Sequence, residues 1–186
     1  APEAFGGAHI AGAYGIQLRP DFGTWTGSVV PASRPLVLVL EREDRWREAI
    51  EQLARIGYDN VAGFLQGGIR AWINAGLPMV HLPQTSVQEL HERLQRNRLV
   101  VLDVRENSEW QEGHIPGARH IPVRRLGEHM QELDRQRPMA VICGSGFRST
   151  VAASLMMNQG FDRLQNVIGG MSAWRNAGYE IDTEEG

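Results

Sequence analysis

Met139-Ala140-Val141-Ile142-Cys143-Gly144-Ser145-Gly146-Phe147-Arg148-Ser149-Thr150 begins apolar, turns on two glycines and continues into a helical pattern. The apolar run Met139–Cys143 has the length and continuity of a strand covered on both faces, as parallel sheets require. Beyond the turn, Val151, Ala152, Leu155 and Met156 recur on one side of a helix, with Ser149 or Thr150 expected to cap it. Working outward, Leu99–Val104 and Gln165–Ile168 read as further strands. Ser86-Val87-Gln88-Glu89 opens a helix with a capping-box pattern, Leu126–Leu133 reads as a short helix, and Met171–Ala177 as a last one. Strands alternating with helices predict an α/β fold around a small, mostly parallel sheet.

The chain repeats itself. Gly67-Gly68-Ile69-Arg70-Ala71-Trp72-Ile73-Asn74-Ala75-Gly76 and Gly169-Gly170-Met171-Ser172-Ala173-Trp174-Arg175-Asn176-Ala177-Gly178 share the pattern G-G-x-x-A-W-x-N-A-G. Asn60-Val61 is matched with Asn166-Val167, Gly57-Tyr58-Asp59 with Gly160-Phe161-Asp162, and Arg34-Pro35 with Arg137-Pro138. His9-Ile10-Ala11-Gly12-Ala13 is matched with His114-Ile115-Pro116-Gly117-Ala118. The offset drifts by a few residues along the chain, so the copies differ by small insertions. A period of this size is a domain rather than a solenoid unit. Two homologous domains are expected, 1–80 and 84–186, joined around Pro78–Pro83. Trp72 and Trp174, at helical spacing, are expected in the core.

Composition narrows the chemistry. The chain has 186 residues and a net charge of −3, with no basic excess to suggest nucleic acid or an anionic membrane as partner. All 19 basic residues are arginine, so Schiff-base and P-loop chemistry lack their usual lysine. No apolar run could span a bilayer, and Ala1–Ala13 do not read as a signal peptide, so a cytoplasmic protein is expected. The single cysteine excludes an intrachain disulfide and multi-cysteine zinc sites. His9, His114 and His120 lie in or near the H-I-x-G-A turns, where hydrogen bonding is expected rather than metal ligation. No metal site and no cofactor are expected in this chain.

Cys143 carries the chemical interest. It stands at the carboxyl end of a strand, where open α/β sheets place ligands. The glycines of Gly144-Ser145-Gly146 let successive N–H groups turn inward as an anion-binding nest, and the next helix adds its positive end. Arg148 adds a fixed charge. A lone cysteine after a buried strand is most often inert, but this surround predicts a reactive thiolate.

The succession Asp103-Val104-Arg105, Trp110…Gly113-His114-Ile115-Pro116-Gly117-Ala118, C-x-x-G-x-R-S at 143–149 and G-G-x-x-A-W resembles a rhodanese-like sulfurtransferase domain over almost all of 84–186. The resemblance implies that Cys143 takes a sulfane sulfur from a small donor, thiosulfate or a low-molecular-weight persulfide. It passes that sulfur to a thiol or cyanide acceptor. Gly144, Ser145, Gly146, Phe147 and Ser149 would cradle the persulfide and donor, and Arg148 would be catalytic. Asp103 and Arg105 are expected to support the loop through an ion pair or hydrogen bond. The first copy resembles the same family from about residue 4. There Leu40 takes the cysteine's place and the loop glycines give way to charged residues in Glu41–Glu43, so that copy is expected to be inactive. Arg45, aligned with Arg148, is expected to form a solvated salt bridge with Glu41 or Glu48.

An inactive copy followed by an active one, with the aromatic-glycine stretch Phe22–Gly27, resembles the C-terminal half of metallo-β-lactamase–rhodanese fusions. That stretch is expected to be a packed surface loop. The resemblance implies an upstream metal-bearing domain, since the H-x-H-x-D-H motif is absent here. The repeat offset independently puts a strand of the first copy just ahead of Ala1, so a longer polypeptide is expected. Glu184 and Glu185 read as a solvated tail. Two rival functions remain. One is a Cys-dependent phosphatase or arsenate reductase, disfavoured because the spacing from Cys143 to Arg148 is one residue shorter than that signature. The other is a non-catalytic binding or regulatory module.

Overall fold

The computed structural model describes residues 2–96 and 99–183; the expectation for Glu184 and Glu185 falls outside them. The first half runs α1 Pro2–Gly7, α2 Phe22–Val29, β1 Leu36–Leu38, α3 Trp46–Ala54, β2 Val61–Phe64 and α4 Gly68–Asn74. The second runs β3 Gln84–Thr85, α5 Val87–Leu94, β4 Val100–Asp103, α6 Asn107–Gln111, β5 Arg119–His120, α7 Leu126–His129, β6 Met139–Ile142, α8 Phe147–Met157, β7 Leu164–Val167 and α9 Gly170–Asn176. No helix among the described residues is long and apolar enough to cross a membrane.

The second half forms a five-stranded sheet in the order β3-β7-β6-β4-β5, every pairing parallel. The strands sit inside it because Val101, Leu102, Ala140, Val141 and Ile142 are buried on both faces. Alternation sorts them: Leu102 and Val141 face the larger core, Val101, Ala140 and Ile142 the smaller one with Leu90 and Trp174. The same alternation sends Cys143 to the larger core, which it shares with Trp25, Leu38 and Leu53 of the first half. The halves are thus packed through one continuous apolar core. The Pro78–Pro83 connection takes part in it: Leu82 is buried and its N–H donates to the Gly6 carbonyl.

The first half builds a two-stranded parallel sheet, β1 beside β2. Leu36 lies opposite Val61 as Met139 lies opposite Leu164. A register shift then puts Val37 opposite Gly63 and Leu38 opposite Phe64. This one-residue bulge in β2 is where the repeat offset drifts. It also corrects the match of Asn60-Val61 with Asn166-Val167, because Phe64 stands where the second half has Asn166. The turns repeat closely. Phe5 stacks on His9 at 3.8 Å and Trp110 on His114 at 3.4 Å. His9 bridges to Val80 and His114 to Asp182. No described strand pairs with the edge of β1 that corresponds to the β4 edge of β6.

Three expectations are corrected here. Phe22–Gly27 is not a loop but most of helix α2, whose Phe22, Trp25, Thr26 and Val29 are buried along one face. Trp72 is half-buried and outside both cores, its indole N–H donating to the Pro78 carbonyl, whereas Trp174 is buried as expected. Helix α8 begins at Phe147, capped by Gly146 in a left-handed conformation, not by Ser149 or Thr150. Thr150 Oγ1 instead donates back to the Gly146 carbonyl at 2.8 Å, and Ser149 Oγ lies 3.1 Å from the same carbonyl.

Candidate active site

Cys143 follows directly on β6, is 1% exposed, and borders a pocket of about 400 Å³. Ser145, Phe147 and Arg148 of the loop line the pocket with it. Gly146 adopts φ 112, which swings its N–H onto the Cys143 sulfur at 3.1 Å. An N–H aimed at sulfur favours negative charge there. The loop is held from behind by α9: Met171 N–H bonds the Cys143 carbonyl at 2.8 Å and Ser172 N–H the Gly144 carbonyl at 3.1 Å. Gly170, at φ 55, allows that approach, since a Cβ there would lie 2.3 Å from the Cys143 carbonyl oxygen. The first half repeats the device around Leu40, where a Cβ on Gly68 would lie 2.8 Å from the Leu40 carbonyl oxygen.

Ser149 is buried beneath the sulfur. Its Oγ lies 3.4 Å from Sγ, 3.1 Å from the Gly146 carbonyl and 2.6 Å from Asn166 Oδ1. A hydroxyl carries one proton. Its shortest partner is Asn166, which leaves the oxygen able to accept from a protonated thiol. Asn166 is fixed in turn by donating to Thr150 Oγ1 at 3.3 Å. Thr150 and Asn166 therefore belong to the site, although the motif does not single them out.

Arg148 does not stand as an unpaired cation. It forks onto Glu109, Nη1 to Oε2 at 2.5 Å and Nη2 to Oε1 at 2.7 Å. This bond raises the guanidinium above its ordinary value, with attraction to Glu109 and Cys143 adding to it, and holds the Glu109 carboxyl below the usual range. Asp103 and Arg105 form a buried ion pair at 2.7 Å, one layer back. Arg105 also donates to the Glu109 and Gly113 carbonyls at 2.9 Å, so it supports the loop through Glu109 rather than by touching it. Glu109 was not among the expected site residues. Its counterpart by the repeat offset is Ala4, and accordingly Arg45 turns to Glu48 at 2.6 Å.

The first half also reaches this site. Arg19, Asp21 and Trp25 line the pocket, with Trp25 edge-on to Phe147 at 5.6 Å. The three expected turn histidines make backbone contacts: His9 and His114 through Nδ1 to the carbonyls of Phe5 and Trp110, and His120 through Nε2 to that of Arg105. Burial lowers the pKa of His9. Among the described residues no group of three His, Cys, Asp or Glu gathers as a metal site.

Comparison with known proteins agrees with this geometry. A model of the rhodanese-like domain family matches residues 86–177. The chain is 37% identical over 94 residues to the putative sulfur carrier protein YrkF of Bacillus subtilis, covering 50% of this chain and 51% of that one. It thus spans about half the length of that relative. It is 32% identical over 92 residues to thiosulfate sulfurtransferase GlpE of Coxiella burnetii, covering 50% of this chain and 86% of that one. A solved rhodanese-related protein from Thermoplasma volcanium superposes with a TM-score of 0.52 at 32% identity, over 55% of this chain and 99% of that one. The rhodanese-like domain of an Anabaena protein does so with a TM-score of 0.51 at 27% identity, over 54% and 79%. On this sequence, fold and loop, the chain belongs to the rhodanese-like family.

Proposed function

We propose that this chain is a sulfurtransferase working through a Cys143 persulfide. The observation that carries it is the sulfur of the chain's lone cysteine facing the Gly146 N–H at the edge of an open pocket. The Cys143 thiolate attacks the outer sulfur of thiosulfate, the sulfur–sulfur bond breaks, and sulfite leaves with the electron pair. A low-molecular-weight persulfide reacts likewise and releases its thiolate. An acceptor thiolate or cyanide then attacks the terminal sulfur of the Cys143 persulfide and regenerates the Cys143 thiolate, with no net redox change in the protein. The loop N–H groups and the α8 end offset the negative charge on the persulfide.

The first half is proposed as an inactive copy of the same domain, because Leu40 stands at the cysteine's place and cannot attack sulfur. The tandem division at 1–80 and 84–186 belongs to the same reading, as does the upstream metallo-β-lactamase-like domain, which rests on resemblance alone.

Mass spectrometry tests the reaction. Incubation with thiosulfate or glutathione persulfide is expected to add one sulfur at Cys143. Cys143→Ser is expected to keep the fold and lose all cyanide–thiosulfate turnover, since a serine hydroxyl does not ionise near neutral pH. An unmodified Cys143 after exposure to both donors would favour a binding module instead.

A further inference from the structure

The first half lacks a nucleophile, yet it builds one wall of the Cys143 pocket. Trp25 is 7% exposed and packs edge-on against Phe147. Its indole N–H donates to Asp21 Oδ2 at 2.9 Å, and Asp21 Oδ1 lies 3.3 Å from Arg19 Nε. The Arg19 guanidinium lies over the Phe147 ring at 4.5 Å, and that of Arg124 over the Trp25 ring at 5.3 Å. Two arginines are therefore held against two aromatic faces that border the reactive sulfur. Their engagement differs from that of Arg148, which is forked through both terminal nitrogens onto Glu109. Arg19 meets Asp21 through Nε as an ion pair without a hydrogen bond, and among the described residues no hydrogen bond occupies its terminal nitrogens. The pocket's other carboxylate is that of Glu106, so three arginines face two carboxylates around it. A volume of about 400 Å³ is in the range of organic-ligand sites, and exceeds what an inorganic oxyanion needs.

Resting on the sulfur-transfer reading, we propose that Arg19 and Arg124 form a carboxylate-binding subsite that selects organic persulfides with an acidic tail. The sulfane sulfur reaches Cys143 while the tail crosses the pocket and its carboxylate meets the two guanidiniums. The Cys143 thiolate takes the outer sulfur, and the parent thiolate leaves with the bonding pair. The inactive half thereby sets the specificity of the active one.

The test pairs a charge on the protein with a charge on the donor. Sulfur transfer to cyanide is measured for the full chain with glutathione persulfide and with the persulfide of glutathione diethyl ester, which lacks the carboxylates. The wild-type protein is expected to prefer the acid in kcat/KM by about tenfold, the equivalent of ~1.4 kcal/mol. Arg19→Ala with Arg124→Ala is expected to bring the ratio close to one, and Arg19→Glu to favour the ester. A ratio that does not move, or equal losses for both donors, would overturn the subsite. Sulfur loading of Cys143, read by mass on the same samples, separates the failures. Loading with an unmoved ratio removes the subsite alone; no loading in the wild-type chain removes the sulfur-transfer reading and the subsite with it.

Discussion

The Arg148 guanidinium and the Glu109 carboxylate meet as a two-point fork at 2.5 and 2.7 Å, across 39 residues of sequence, and so join the loop that bears Cys143 to helix α6. Removing either partner breaks the fork, but the charge left behind differs in sign. Arg148→Ala leaves a carboxylate near the sulfur, and Glu109→Gln leaves a guanidinium. Alkylation of Cys143 by iodoacetamide at neutral pH is therefore expected to slow in the first variant and to quicken in the second, because negative charge on the sulfur is opposed by a nearby carboxylate and favoured by a nearby guanidinium. Both should lose sulfur transfer because the loop is no longer held. A change of alkylation rate in the same direction in both variants would mean that geometry, not charge, sets the reactivity.

Acid should loosen this fork in a defined window. The hydrogen bond from Arg148 holds the folded Glu109 carboxyl below its ordinary value, which is about 4.3 in an unfolded chain. A depressed folded value means a contribution to stability that is complete above the unfolded value and is lost as pH falls through the folded one. The thermal midpoint of the wild-type chain should exceed that of Glu109→Gln by a constant margin from neutral pH to about 5. Below that the two should converge. A margin that stays constant to pH 3 would separate Glu109 ionisation from stability.

The parts of this site that sequence reveals are those built from contiguous residues. Met139–Cys143 reads as a strand because burial on both faces of a parallel sheet demands unbroken apolar character. The glycine turn after it marks the loop for the same local reason. Glu109 was hidden because the fork is a long-range contact, and a glutamate three residues past Glu106 reads equally well as a helix cap, which it also is. Asn166 carried a weak signal as a polar residue between buried Leu164 and Val167. Helix α2 was misread for its glycines. Yet Phe22, Trp25, Thr26 and Val29 follow helical spacing, and Gly23 is there for contact, since a Cβ would lie 2.7 Å from the Gln52 carbonyl of α3. Tertiary packing outweighed the helix cost of glycine, about 1 kcal/mol per residue.

Asp103 and Arg105 offer a test of stability behind the site. Both are almost fully buried, and Arg105 gives Asp103 its backbone N–H, Nε and Nη2. Asp103→Ala would strand a buried guanidinium, and urea unfolding should show a loss of about 3–5 kcal/mol. The double variant Asp103→Leu with Arg105→Met, which removes both charges, should recover most of that loss while still impairing sulfur transfer, because Arg105 also holds the Glu109 carbonyl. A double variant no more stable than Asp103→Ala would show that the surrounding hydrogen bonds, and not the unpaired charge, carry the effect.

Gly170 separates the integrity of the loop from that of the fold. Gly170 and Gly178 both have positive φ, 55 and 71, so a side chain at either costs about 1–3 kcal/mol of backbone strain. Their surroundings differ. A Cβ at Gly178 meets nothing within 4 Å, whereas one at Gly170 would fall 2.3 Å from the Cys143 carbonyl oxygen and 2.7 Å from Gly144. Relief requires the loop to move away from α9, breaking the bonds from Met171 and Ser172 that fix the two carbonyls. Gly178→Ala should lower the thermal midpoint yet retain most sulfur transfer below it. Gly170→Ala should lose transfer at temperatures where circular dichroism still reports a folded chain. Equal retention of turnover by the two variants would show that the loop tolerates displacement, and that the grip of α9 on Cys143 does not set the reactive geometry.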